Sequence, residues 1–172
     1  MEKLLFLDLE DTVCEPVLTG WRSTSLLPRE IDSIKRFIEA WQPDSVSLFS
    51  FAVHDETDRL QFLQHMQPHL ENALGIRFAE VPTVLGSIRE ACAKEHRMAP
   101  SKLTFSDMVE FWGKAISFEL FCQNRARKAK APTHFVLIDD AVPDAHRVDF
   151  RTRCETSLVN VERIQEAIAR MS

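Results

Sequence analysis

The chain has 172 residues, of which 45% are hydrophobic, 27% are charged and 4 are glycine, and its formal charge is −5. This composition excludes a disordered or low-complexity protein, suits one domain with one full core, and gives no general attraction to nucleic acid. The cysteines Cys14, Cys92, Cys122 and Cys154 form no Cys-x-x-Cys pair, so they read as buried apolar residues and not as a zinc or redox motif. The first apolar run is far shorter than a signal peptide and no later run approaches the ~20 residues of a membrane span, so the expectation is a cytoplasmic protein with no membrane partner.

In chain order, the first element is an apolar run from Lys3 that stops at Asp8-Leu9-Glu10-Asp11-Thr12, as a strand buried on both faces of a parallel sheet does. Alternation along an extended chain puts Asp8 and Glu10 on one side, ~6.6 Å apart, where one carboxylate can attack while the other moves a proton. Residues 13–26 contain Pro16 and Thr19-Gly20-Trp21 and read as an irregular loop or short hairpin over that end. Pro28 opens a helix with Ile31, Ile34, Ile38 and Trp41 on one stripe, ending near Gln42-Pro43.

Residues 45–52 form the second strand, with Ser50 near its carboxyl end, and a helix from about Glu56 toward Leu70 follows, with Leu60, Leu63 and Met66 inward and Pro68 disturbing its last turn. Residues 77–81 alternate as a short strand, and a helix covers 87–95. A helical pattern from Ser106 bends at Gly113 and resumes over 114–128, with Ile116, Leu120 and Phe121 as its packed stripe. His134-Phe135-Val136-Leu137-Ile138 repeats the opening design and ends in Asp139-Asp140; residues 151–159 and 161–171 give a last strand and helix. Strands alternating with helices predict an α/β fold, a mainly parallel sheet with helices on both faces.

In such sheets ligands bind at the carboxyl ends of the strands, so Asp8, Glu10, Ser50, Asp139 and Asp140 are expected to converge on one crevice. Their oxygen donors suit a hard divalent cation such as Mg²⁺ beside a phosphoryl group.

These residues also resemble the haloacid dehalogenase superfamily. Its first motif is an apolar strand followed by Asp-x-Asp-x-Thr, matched here at Asp8 and Thr12, with Glu10 in place of the second Asp. Ser50 matches the second motif, Lys114 the third, with Lys102 as the weaker candidate, and Asp139-Asp140 the fourth. The resemblance implies a Rossmann-like, three-layer α/β/α domain over 1–172, with a short flap at about 13–26 and no large cap. It further implies a Mg²⁺-dependent phosphohydrolase in which Asp8 is the nucleophile, Glu10 the acid and base, and Ser50 and Lys114 hold the phosphoryl group. The metal would be held by Asp8, the Glu10 carbonyl and Asp139, assisted through water by Asp140 or Asp144. An open crevice favours a phosphorylated substrate that is bulky or macromolecular. The alternative is a binding or regulatory module that keeps the fold.

Other residues are read more plainly. His65 and His69 are surface residues, since no Glu follows His65 and Pro68 interrupts the turn between them. The run Arg125, Arg127, Lys128 and Lys130 complements a helix carboxyl end in preference to forming a nucleic-acid patch. Trp21 is read first as an anchor for its own loop, and second as a surface for stacking on a base or substrate ring.

Overall fold

The structure, a computed structural model, describes residues 1–171. Five strands, β1 (Glu2–Leu7), β2 (Ser45–Leu48), β3 (Thr133–Asp139), β4 (Ala145–Asp149) and β5 (Cys154–Asn160), form one sheet in the order β2-β1-β3-β5-β4. All neighbouring pairs are parallel except β4 with β5. The helices α1 (Pro28–Trp41), α2 (Glu56–His65), α3 (Gln67–Leu74), α4 (Arg89–Glu95), α5 (Gly113–Lys128) and α6 (Ile164–Met171) cover the two faces, an arrangement compatible with a Rossmann-like three-layer fold.

The alternation of β1 builds both layers at once. Leu5 and Leu7 point into a core shared with Ile34 and Phe37 of α1, Leu70 of α3 and Ala167 of α6, while Phe6 points into a second core with α4 and α5. That second core is a phenylalanine cluster: Phe6 packs edge-on against Phe118 at 5.4 Å and Phe121 at 5.7 Å, and Phe49 reaches the same rings at 5.0 and 5.3 Å. Edge-to-face geometry adds to plain burial in such pairs.

Several elements differ from the sequence reading. The expected helix over 56–70 is two helices: the chain breaks at Met66 (φ −122°), and Pro68 lies in the first turn of α3, where its missing N–H costs nothing. The break rotates the inner stripe to Phe62, Met66 and Leu70, leaving Leu60 exposed. On α5 the buried face is Phe118, Phe121 and Cys122, and Ile116 faces outward. Residues 77–81 do not form a strand; a single bridge joins Phe78 to Val46, with Ala79 donating to the Val46 carbonyl at 2.8 Å. The last parallel strand starts at Cys154, later than position 151, and is preceded by an unanticipated antiparallel strand, β4.

Residues 13–26 carry two short 3₁₀ turns tied by a bridge between Cys14 and Leu26, with Trp21 buried edge-on against Phe62 at 6.0 Å. Trp21 therefore anchors the flap to α2 and is not available for stacking on a ligand.

Phe118→Ala should cost about 3–5 kcal/mol, because it removes a ring that both Phe6 and Phe49 contact. Leu60→Ala should fall within about 0.5 kcal/mol of the parent. Urea denaturation checks both, and a large loss for Leu60→Ala would contradict the assigned inner face.

Candidate metal and phosphoryl site

Topology brings the central residues together. β1 and β3 are adjacent, and the connections from them leave toward opposite edges of the sheet, which makes their carboxyl ends the topological switch point. Leu7 pairs with Ile138, and the Asp8 N–H donates to the Ile138 carbonyl at 3.1 Å, so Asp8 and Asp139 emerge side by side. Both are buried.

Lys114 joins them. Its Nζ bonds Asp8 Oδ1 and lies 2.8 Å from Asp139 Oδ2. Gly113 is what lets the chain arrive there: its φ of 67° with ψ of 179° lies in a region essentially restricted to glycine, and it opens α5 so that Lys114 falls in the first turn, facing the sheet ends. A cation at a helix amino end runs against the helix dipole, and the two carboxylates offset that. Phe51 covers the ammonium, with its ring centroid 5.4 Å from Nζ.

After Asp8 the chain turns sharply. The N–H groups of Thr12, Val13 and Cys14 all donate to the Leu9 carbonyl, and Asp11 takes a left-handed φ of 61°, a conformation that aspartate tolerates better than most residues. The turn aims Thr12 back at the site. Thr12 Oγ1 lies 3.0 Å from Asp8 Oδ2 and 3.3 Å from Asp140 Oδ1, and it accepts from the Asp140 N–H at 3.1 Å. A hydroxyl has one proton, so Thr12 can serve only one of the two carboxylates at a time.

One ammonium faces three carboxylates, and the ionisation of Asp8, Asp140 and Lys114 reflects that imbalance. Burial pushes the Asp8 carboxyl above the ordinary aspartate range, the Lys114 charge opposes this, and Asp139 adds to it. Burial, then Asp139 and Asp8, push Asp140 up to about 6. For Lys114, burial acts downward, but the charges of Asp8 and Asp139 outweigh it and hold the side chain as ammonium. Carboxylate oxygens of Asp8, Asp139 and Asp140 lie within 4.8 Å of one another. Asp139 Oδ2 is fully buried and, although close to Lys114, makes no well-directed hydrogen bond, while Asp139 Oδ1 accepts from the Ala141 N–H at 2.7 Å. Excess negative charge, an under-coordinated buried oxygen and an all-oxygen donor set fit a hard divalent cation.

The other expected residues sit at the margin. Glu10 is half-buried, and its carboxylate accepts the Val17 N–H at 2.7 Å, tying the site to the flap. Ser50 is buried beyond β2, where its hydroxyl accepts from the Ala52 N–H at 3.2 Å. Lys102 is exposed in a 3₁₀ turn. Asp144 accepts from the Asn160 N–H at 2.8 Å and pairs with Arg170, and the Asn160 side chain donates to the carbonyls of Asp140 and Val142. Asn160 thus braces the acidic loop. Only its position at the end of a strand could have flagged it in the sequence. His65 accepts from Arg22 at 3.3 Å, and Arg125 and Arg127 pair with Glu80 and Glu95, which accounts for them as surface groups.

Because the folded-state pKa of Asp140 lies near 6 against an ordinary 3.8, the folded state binds more protons than the unfolded one between those values. Stability of the metal-free protein therefore falls as pH rises through that window. In the presence of a chelator, Asp140→Asn should flatten this slope and raise the melting temperature at pH 7 relative to the parent, with the difference vanishing below about pH 4. Parallel melting curves for the two proteins from pH 4 to 7 would contradict the assignment.

No protein-family model, no curated protein and no solved structure matches the chain.

Proposed function

We propose that the chain is a Mg²⁺-dependent phosphohydrolase of haloacid dehalogenase-like fold, working through an aspartyl-phosphate. The observation that carries this reading is the bridge from the part-buried Lys114 to the buried Asp8 and Asp139 at neighbouring strand ends. A lone cation beneath paired carboxylates, beside the remaining acid of Asp140, is a grouping that can receive both a divalent metal and a phosphoryl group. Mg²⁺ would be held by Asp8, Asp139 and the main-chain carbonyl of Glu10, with Asp140 close by, and would supply positive charge that offsets repulsion between the phosphoryl oxygens and the attacking carboxylate.

The chain's own residues do the rest. An Asp8 carboxylate oxygen forms the new bond to phosphorus as the bond to the leaving oxygen breaks. Thr12 and Lys114 hold Asp8 in orientation through its two oxygens. Glu10 gives its proton to the leaving oxygen, then takes one from the water that attacks the aspartyl-phosphate, which releases phosphate and restores Asp8. For this Glu10 must leave the Val17 N–H, so the flap and the proton donor are mechanically linked. Lys114 and the Ser50 hydroxyl bind the remaining phosphoryl oxygens. A flap of two short turns, with no inserted cap, suits a bulky phosphate ester, such as a phosphorylated protein or a nucleic-acid end, better than a small metabolite.

One observation favours a second reading, a binding or regulatory module: the Glu10 carboxylate is already engaged at 2.7 Å by the flap backbone. Phosphate release from an activated aryl phosphate separates the two. The parent should require Mg²⁺, Asp8→Asn should abolish turnover, and Glu10→Gln should lose ~10²–10⁴-fold, most on esters with poor leaving groups. Turnover unchanged in Asp8→Asn would remove the activity from this site. A folded parent that binds Mg²⁺ yet hydrolyses no aryl phosphate, phosphopeptide or phosphorylated oligonucleotide end would establish the second reading.

A further inference from the structure

At the other end of β3, five residues and ~16 Å along the strand from Asp139, lies a second cluster of ligating side chains. His134 on β3 pairs in register with Glu155 on β5, and His146 on the edge strand β4 pairs with Ser157 on β5. Cross-strand partners share a face, as do Glu155 and Ser157 two positions apart, so all four side chains project on one side of the sheet.

The bonding among them is directional. Ser157 Oγ lies 2.8 Å from His134 Nε2 and 2.8 Å from His146 Nδ1. The opposite ring nitrogens face one carboxylate oxygen, with Glu155 Oε2 3.8 Å from His134 Nδ1 and 3.6 Å from His146 Nε2. Ligand atoms of the three residues all lie within 4.8 Å of one another. Donors around a tetrahedral ion with bonds of 2.0–2.2 Å sit ~3.4 Å apart, so modest side-chain adjustment closes these spacings on a metal.

We propose that His134, His146 and Glu155 form a binding site for a divalent transition-metal ion of the zinc class, distinct from the acidic site at the other end of the sheet. Two imidazoles with one carboxylate are a borderline donor set that suits zinc, whereas the all-oxygen set of Asp8, Asp139 and Asp140 suits Mg²⁺. Ser157 supplies the outer support: its oxygen accepts both imidazole N–H bonds, which turns the lone pairs of His134 Nδ1 and His146 Nε2 toward Glu155. Trp41 walls one side, edge-on to His134 at 5.3 Å. The fourth position opens into a cavity of about 670 Å³, and the half-exposed His146 gives the ion a way in. The cations that line this cavity are turned to other partners, Lys3 to the Trp41 carbonyl at 3.0 Å and Arg170 to Asp144 at 3.1 Å. A bound ion would tie β4, which pairs only with β5, to β3 as well.

Titration calorimetry of the chelator-treated full chain with Zn²⁺, and absorption spectroscopy with Co²⁺, test this. One equivalent of zinc should bind, cobalt should give the visible bands of a tetrahedral site, and the melting temperature should rise with zinc. His146→Gln and Glu155→Gln should lose saturable binding and the cobalt bands, while Ser157→Ala should weaken binding by about 10–100-fold. Asp139→Asn should retain both signals, and circular dichroism should show each variant folded. Absence of one-to-one binding in the parent, an octahedral cobalt spectrum, or undiminished binding in folded His146→Gln would overturn the proposal.

Discussion

One buried ammonium between two carboxylates organises this molecule. Removing two aspartates and a lysine from water costs several kcal/mol per charge, and that cost is tolerable only if the groups meet in good geometry. Three features of the fold contribute to that meeting. The β1–β3 pairing sets Asp8 beside Asp139, the glycine-specific turn at Gly113 delivers Lys114, and the phenylalanine cluster of Phe6, Phe49, Phe118 and Phe121 fixes α5 against the sheet. The interaction is also unbalanced, since Asp140 leaves the pocket with more negative than positive charge. That residual charge suits the strand ends to a cation.

Much of this was legible in the sequence because the deciding residues sit on strands buried on both faces. Leu5-Phe6-Leu7 and Val136-Leu137-Ile138 leave no ambiguity of period, and carboxylates directly after such runs mark their carboxyl ends. Lys114 was legible only through a family pattern, since nothing in its local sequence says that a helix will turn it toward Asp8. What escaped was governed by tertiary context. Leu60 and Ile116 fit a helical stripe as well as their neighbours do, and the choice of face was made by the break at Met66 and by Phe118 and Phe121 packing on Phe6. β4, with the sequence Ala-His-Arg-Val-Asp, has no apolar alternation because it lies at the sheet edge and is mostly exposed. Glu10 was expected to share a side with Asp8; the chain turns from Leu9 onward, and the Glu10 carboxylate accepts from the Val17 N–H of the flap.

The same sheet presents ligating groups of different character at its two ends. Oxygen donors gather where the parallel strands terminate at the topological switch point, and imidazoles from the start of β3 and from the antiparallel strand β4 gather across β5. This separation follows from strand direction: β4 runs against its neighbour, so its His146 is carried back alongside Ser157 and not toward Asp139.

The two margins of the sheet are closed in different ways. Beyond β2, the segment around Phe78 lies along the strand, with the Ala79 N–H donating to the Val46 carbonyl and the Glu80 carbonyl accepting from the Leu48 N–H, so that margin is covered by the chain itself. At the other margin β4 is the edge strand and mostly exposed, but it is five residues long and carries His146, Arg147 and Asp149, with Arg147 held by Glu119. Short, charged edges resist the docking of a foreign strand. A mostly parallel sheet folds slowly and exposes apolar strands while it does so; once complete, this one turns a short, charged edge at β4 toward solvent.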